Sequence, residues 1–316
     1  MHKFAYNWWR MLIVIITLPF SLVIALIFKH KFLKYCFTYE RNNNIQEFLA
    51  DLDDKQMDLE IPIDFIETFK IKTDQGEISA LKLVNNNPEK WVIGLHGWTE
   101  NKYLGLRLVM HFYNLGYSIL TFDSFAHGAS YGEKTDIGYS SIVMIDEIIN
   151  YLKKTYQAKE LGLIGNSMGA STAILYGQKG VHQKAIKWII ADCGFANLDH
   201  QLNWRSNQLS KLNWMFTNLF IRAGFQKATG LDPRTYDLIP NITYPTPTMF
   251  VHSKSDSFIP YQASETMYQI RNNPKDLLWL PTGPEHVRVL ADLNEEYQEK
   301  IQLFLKQKTR NNEHLK

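Results

Sequence analysis

Leu161-Gly162-Leu163-Ile164-Gly165-Asn166-Ser167-Met168-Gly169-Ala170 decides the reading of this 316-residue chain. A short apolar run ends in Gly-x-Ser-x-Gly, and a helical pattern follows through Tyr176. The spacing predicts a strand, a sharp turn and a helix. Gly165 and Gly169 carry no side chain, so strand and helix can approach closely, and the Ser167 hydroxyl stands clear of the sheet. Ser167 then sits at a helix N-terminus, where unpaired N–H groups favour an anion. A serine N-cap after a strand is the plain structural alternative. A P-loop is excluded, because no Gly-Lys-Ser/Thr follows the glycines.

Working outward, the same rhythm repeats. Ile66–Thr73 and Ile78–Val84 flank Asp74-Gln75-Gly76-Glu77 and read as a hairpin. Trp91–Leu95, Ser118–Phe122, Leu161–Ile164, Ala185–Ala191, Thr248–His252 and Asp276–Leu280 read as further strands. Helical spacing occupies Leu104–Tyr113, Gly138–Leu152 and Ser167–Tyr176. Strands alternating with helices predict an α/β fold, a mostly parallel sheet of about eight strands covered on both faces.

A serine hydroxyl becomes a nucleophile when a base takes its proton and a carboxylate orients that base. In the chain order Ser, acid, His, the base lies downstream of Ser167. His182 follows the nucleophile helix too closely, His200 lies in a polar insertion, His314 lies in the tail, and His252 ends an apolar strand. His286 follows the last strand in Pro281-Thr282-Gly283-Pro284-Glu285, the expected place for the base. Asp256, four residues past the Thr248–His252 strand, is the favoured acid; Asp192, directly after Ala185–Ala191, is the alternative. An oxyanion hole needs two backbone N–H donors. Met168, next to Ser167, and Trp98, after His96-Gly97, are placed to supply them; His96 itself reads as a brace for that turn.

These motifs resemble an α/β-hydrolase, specifically the bacterial membrane-anchored serine hydrolases of the cell-surface type. The resemblance runs from about Ile61 to Leu305. His96-Gly97-Trp98-Thr99-Glu100-Asn101 resembles that family's oxyanion turn. Asp123-Ser124-Phe125-Ala126-His127-Gly128-Ala129-Ser130 resembles its D-x-R-x-H-G-x-S loop, and Asp192-Cys193-Gly194 the start of its lid. Phe125 stands where the family usually has Arg, which removes an ion pair near the site. Val289 closes a Val287-Arg288-Val289 run where small residues and Ser are usual. The resemblance implies ester, amide or thioester hydrolysis through an acyl-enzyme on Ser167, with an apolar, lipid-like acyl substrate favoured and no metal or organic cofactor. Peptidases and acyltransferases share the same machinery. A non-catalytic, membrane-tethered scaffold on this fold is the rival reading, since fold alone does not fix function.

The segment from Asn197 to Thr243 is too long for a loop and resembles the family's lid. Leu212, Met215, Phe216, Leu219, Phe220 and Ala223 share one helical face, the expected apolar face of that lid.

Composition narrows the rest. Hydrophobic residues are 45% and charged residues 21%, ordinary for a folded protein. Lys+Arg 34 against Asp+Glu 32 leaves a formal charge of +2, which argues against a nucleic-acid surface. Cys36 and Cys193 make neither a disulfide framework nor a zinc set. Met11–Phe28 carries no charge and is flanked by Trp8, Trp9 and Arg10 on one side and Lys29, Lys31 and Lys34 on the other. That pattern predicts a membrane anchor with interfacial residues at both ends. No small-residue cleavage site follows it, which argues against a signal peptide. The expected organisation is an anchor over 1–35, a linker over 36–60 in which Arg41–Glu60 can also be a first surface helix, a hydrolase domain over 61–308 with its lid at about 197–243, and a polar tail over 309–316. The charge count leans toward a cytoplasmic domain and the family resemblance toward an extracytoplasmic one; the single-pass, outward-facing arrangement is favoured.

Overall fold

The computed structural model describes residues 8–41, 44–209 and 217–313, with side chains described from residue 19 to residue 307. Eight strands form one sheet: β1 Glu67–Thr73, β2 Gly76–Leu83, β3 Lys90–Leu95, β4 Ser118–Phe122, β5 Glu160–Asn166, β6 Ile186–Asp192, β7 Thr248–Val251 and β8 Leu277–Trp279. Their spatial order is β1-β2-β4-β3-β5-β6-β7-β8. β2 runs antiparallel to β1 and β4, and every other neighbouring pair is parallel. The α/β-hydrolase arrangement read from the sequence is therefore the arrangement found. Among the described residues ten α-helices accompany the sheet: α1 Trp8–Phe37, α2 Ile45–Asp54, α3 Leu106–Asn114, α4 Ser141–Tyr156, α5 Met168–Lys179, α6 Leu198–Leu209, α7 Thr217–Thr229, α8 Gln262–Arg271, α9 Val289–Asp292 and α10 Asn294–Glu313.

The chain divides into two compact units. The larger runs from Glu40 to Asn197 and from Asp237 to the C-terminus. Its strands β3 to β7 are almost wholly buried, as expected when helices cover both faces of a parallel sheet. On one face Phe48 and Leu52 of α2, Val109 and Phe112 of α3, and Tyr297, Ile301 and Phe304 of α10 join the core of Ile190, Met249 and Val251. Phe112 stacks on Trp188 of β6 at 5.1 Å between ring centroids. The stretch expected to be a linker thus contributes a packed helix: Asn44 caps α2 by accepting from the Glu47 N–H, and Phe48 is fully buried. Arg271 fixes the approach to β7. Its guanidinium pairs with buried Asp276 and donates to the carbonyls of Ile242, Tyr244 and Thr246.

The smaller unit is helical and consists of α1 through Tyr39 together with Leu198–Tyr236, the insertion between β6 and β7. Asp199 of α6 takes both ends of the Arg222 guanidinium of α7, at 2.8 and 2.6 Å. Phe37 of α1 packs on Phe225 of α7, with ring centroids 5.6 Å apart. The buried positions of α7 are Thr217, Ile221 and Phe225. Leu219, from the face expected to be buried, is 53% exposed; Leu212, Met215 and Phe216 lie outside the described residues. The difference has a physical cause. α7 is apolar on more than one face, and α1, remote in sequence, packs against the Thr217–Ile221–Phe225 side. The expected span Met11–Phe28 falls within the continuous helix α1, and its side chains before Pro19 lie outside those described. Among the described residues, no helix is long and apolar enough to cross a membrane.

Candidate active site

All five strands that end near the expected site residues run parallel, so the loops after them gather along one edge of the sheet. Ser167 follows β5 directly and occupies φ 51°, ψ −116°, a strained conformation for a residue with a Cβ. Close packing enforces it. A Cβ on Gly165 would lie 2.4 Å from the Gly169 carbonyl carbon, and one on Gly169 would lie 2.1 Å from the Leu95 carbonyl oxygen. The Ser167 N–H donates to the Asp192 carbonyl at 2.8 Å, which ties the turn to the end of β6.

The loops after β7 and β8 bring Asp256 and His286 to that serine. His286 Nε2 lies 2.9 Å from Ser167 Oγ, and His286 Nδ1 lies 2.7 Å from Asp256 Oδ2. Asp256 is the acid brought to His286. The alternative, Asp192, is buried at the end of β6, while His286 Nδ1 is bonded to Asp256 instead; burial raises the Asp192 carboxyl to about 6. With Asp256 Oδ2 accepting at Nδ1, the imidazole carries its proton there and leaves Nε2 to accept from the serine hydroxyl. Phe258 stacks on the His286 ring at 4.8 Å, and Trp98 lies beside Phe258 at 6.5 Å.

Asp256 is itself well held. Its Oδ1 accepts from the N–H groups of Phe258 and Ile259, at 2.8 and 2.9 Å. His252, fully buried, lies 3.2 Å from Asp256 Oδ2 through Nε2. The hydroxyl of Ser264 and the carbonyl of Ile259 fix its ring from either end, so Nε2 carries the hydrogen. Burial alone would raise the Asp256 carboxyl. The bonds from His252 and His286 and the charge of His286 outweigh it and hold the group well below the usual carboxylate range. His252 was read as a strand residue. Its signal was the i, i+4 spacing to Asp256 across the strand end.

The turn after β3 depends on a different kind of bonding. Met168 opens α5, so its N–H has no acceptor within the helix. Trp98 stands in the turn Gly97–Glu100, closed by Glu100 N–H to Gly97 O at 3.2 Å. Glu100 folds back so that Oε2 accepts from the Gly97 N–H at 2.6 Å and from Asn166 Nδ2 at 3.2 Å. Its other oxygen pairs with Arg107 of α3, and Arg107 pairs in turn with Asp51 of α2 at 3.1 Å. Burial pushes the Glu100 carboxyl up, and the Arg107 charge overcomes this and brings it down to about 2. His96 braces the same turn: Nδ1–H donates to Gly97 O at 2.7 Å and Nε2 accepts from Ser124 N–H at 3.0 Å. Burial lowers its affinity for a proton, which suits a structural, neutral ring.

The loop from Asp123 to Ser130 is held without the expected arginine. Phe125 packs edge-on against Tyr131. Lys102 donates to Asp123 through both its backbone N–H and Nζ. Arg41 supplies the missing guanidinium from elsewhere in the chain, donating to the carbonyls of His127, Gly128, Ser130 and Gly132. Among the described residues, one group could offer three metal-ligand atoms: Cys193, Asp256 and His286. Two of these already bond each other in the relay.

The site therefore offers a serine hydroxyl, an imidazole aimed at it, a carboxylate behind the imidazole, and a helix N-terminus near a tight turn. Comparisons with known proteins bear on the fold that carries these residues. A family model described as the α/β hydrolase fold matches residues 90–240. YqkD of Bacillus subtilis, an uncharacterized protein, is 30% identical over 237 residues, covering 72% of this chain and 75% of its own. YfhR of Escherichia coli, also uncharacterized, is 23% identical over 68% of this chain and 69% of its own. Among solved structures, the Pyrococcus furiosus esterase Pf2001 superposes with a TM-score of 0.66 at 24% identity, over 86% of this chain and 97% of that one. Est1E of Butyrivibrio proteoclasticus, solved with ferulic acid, gives a TM-score of 0.58 at 21% identity, over 74% and 98%. At these identities the two structures speak for the fold. Sheet order, nucleophile turn, family model and the extent of the match to YqkD lead to one assignment: this chain belongs to the α/β-hydrolase superfamily.

Proposed function

We propose that the protein is a serine hydrolase that cleaves a carboxylic ester through an acyl-enzyme on Ser167. The observation that carries this reading is the unbroken relay from Ser167 Oγ to His286 Nε2 and from His286 Nδ1 to Asp256 Oδ2. Ser167 Oγ attacks the substrate carbonyl while His286 Nε2 takes its proton. Asp256 keeps the imidazole in the needed tautomer and stabilises the imidazolium. The N–H groups of Met168 and Trp98 are the proposed donors to the oxyanion, a contribution of roughly 10²–10³ in turnover per donor. His286 then protonates the leaving alcohol. A water molecule, deprotonated by the same imidazole, releases the acid and restores the serine hydroxyl.

The rings of Trp98 and Phe258 beside His286 favour an apolar acyl substrate, and the Pyrococcus furiosus esterase of similar fold is in keeping with ester chemistry. A panel of aryl esters graded by acyl length, run beside an amide and a thioester series, tests both points. Labelling by a fluorophosphonate that is abolished in Ser167→Ala supports the nucleophile; labelling that survives the substitution overturns it.

The reading includes a location. The apolar run Met11–Phe28 holds the protein to the cell membrane, with the hydrolase domain on the outer side, in keeping with the resemblance to cell-surface hydrolases. Protease treatment of intact cells is the test: a domain that stays intact while surface proteins are shaved would put it in the cytoplasm.

A further inference from the structure

The helix α1 has two unlike faces. On one, Ala25, Phe32 and Cys36 are buried at spacings of seven and four residues. This face packs on α7, and the two backbones come close where Gly224 opposes Leu33: a Cβ on Gly224 would lie 2.5 Å from Leu33 Cδ1. The opposite face carries Phe20, Val23, Ile24 and Ile27, which are 71%, 56%, 47% and 53% exposed. Their spacing of i, i+3, i+4 and i+7 makes one continuous stripe. Continued by the same geometry, the stripe reaches Lys31 and Lys34, both exposed. One line of the helix is thus apolar for two turns and basic for the next.

We propose that this stripe lies against an anionic lipid surface, and that the helical insertion Leu198–Tyr236, packed on the back of α1, is carried there with it. The proposal rests on the membrane reading given above and extends it from a tether to an oriented surface. Large aliphatic side chains left in water forfeit about 25 cal/mol for each Å² they could bury, so such a stripe calls for a cover. Charge selects the cover. The basic residues of α1 are Arg10, Lys29, His30, Lys31 and Lys34, and no Asp or Glu stands among them. A second copy of the helix would oppose lysine to lysine, whereas anionic headgroups complement lysines at the edge of an apolar stripe. From Ala25 onward one face belongs to α7, so this part of α1 lies along a membrane rather than being ringed by lipid.

The full chain, prepared in mild detergent and diluted into vesicles, tests the proposal by flotation. Two vesicle compositions are compared: phosphatidylcholine alone, and phosphatidylcholine with phosphatidylglycerol. Anionic lipid should raise the bound fraction by about fivefold for each lysine engaged. Lys31→Glu with Lys34→Glu should remove that increment, and Ile24→Glu with Ile27→Glu should lower binding to both compositions. None of these residues is in the hydrolytic machinery, so turnover of a soluble short-chain ester should stay unchanged. The second half of the proposal is read from an environment-sensitive dye on Leu219→Cys, an exposed site on α7. Its emission should shift with anionic vesicles. Adding Gly224→Leu, which separates α7 from α1, should abolish that shift while flotation persists. Binding that ignores both lipid charge and the two lysine reversals overturns the docking surface. So does a dimer by light scattering that Ile24→Glu with Ile27→Glu dissolves. A dye shift unaffected by Gly224→Leu overturns the coupling of the insertion. Because binding is measured apart from turnover, a chain that binds as proposed yet hydrolyses no ester would overturn the hydrolase reading alone.

Discussion

The two sides of the candidate site are built in different ways. On the Ser167 side, three loops at strand ends meet through short hydrogen bonds between nearby polar groups, and each loop announces itself locally. On the Trp98 side, the turn is shaped by a buried chain of charges, Asp51 to Arg107 to Glu100, that joins α2, α3 and the end of β3. The first side is set by local turn chemistry, the second by residues far apart in sequence that neutralise one another out of water. Buried ion pairs of this kind add little net stability compared with apolar packing, and breaking one partner is costly. Their presence beside a turn proposed to bind an oxyanion is better explained by the geometry they impose on Gly97 and Trp98 than by stability.

The comparison is broken most severely by removing the nucleophile. Ser167→Ala should lower ester turnover by at least about 10⁴-fold, with the melting temperature little changed, since alanine keeps the Cβ and the same strained backbone. Steady-state kinetics with a chromogenic ester and a thermal melt measure the two effects together. Asp256→Asn should cost roughly 10³–10⁴-fold in kcat, because the amide can no longer hold the imidazole in the Nδ1–H form. The same substitution at Asp192 should leave kcat within about an order of magnitude, since its carboxyl is not bonded to His286. A reversed ranking of the two would assign the acid to the end of β6.

On the other side, Glu100→Gln is the sharper probe. The amide can still accept from Gly97 N–H, but Arg107 loses one of its two carboxylates. The expected result is a fall in kcat of about 10²-fold with KM within about twofold, the pattern of a donor displaced from the transition state. Asp51→Asn, one link further away, should cost less, about tenfold. If either variant melts earlier but keeps its kcat, the charge chain is structural and the turn is set by other contacts.

Legibility in the sequence follows the same division. The hairpin, the parallel strands and the Ser167 turn were readable because each rests on a local pattern of apolar spacing and glycine. Asp256 and His286 were readable because strand ends precede them by a few residues. The charge chain was not. Asp51 lay in a stretch that looked like a polar linker, and only packing of Phe48 and Leu52 turns that stretch into a core helix. Arg107 did leave a trace, as a charge flanked by Leu106 and Leu108 on an otherwise buried helix, and such a residue implies a partner. Arg41 left none: four carbonyls of one loop receive it, and backbone acceptors have no sequence signature. The buried face of α7 was misread for a related reason, because a helix with apolar residues on several sides does not say which side its neighbour will take.

The mildest test concerns the acid that does not join the relay. Asp192 is fully buried, and its carboxyl is raised from its ordinary value of 3.8 to about 6 by burial, with the charge of His252 opposing the effect and that of Asp256 adding to it. Between those two values the folded chain holds a proton that the unfolded chain has lost. Stability contributed by this group is therefore present below about pH 4 and declines as pH rises toward 6, by about 3 kcal/mol in total. Asp256 and Glu100, both held below their ordinary values, work in the opposite sense, and their contribution is lost as pH falls. Asp192→Asn removes the first dependence and leaves the other two. Relative to the parent chain, the variant should gain several degrees in melting temperature at pH 7 over its difference at pH 4. Thermal melts of both proteins across that range measure the gap. A difference that stays constant with pH would mean that Asp192 is ionised in the folded protein throughout, and that a neighbour on the Ser167 side compensates its charge.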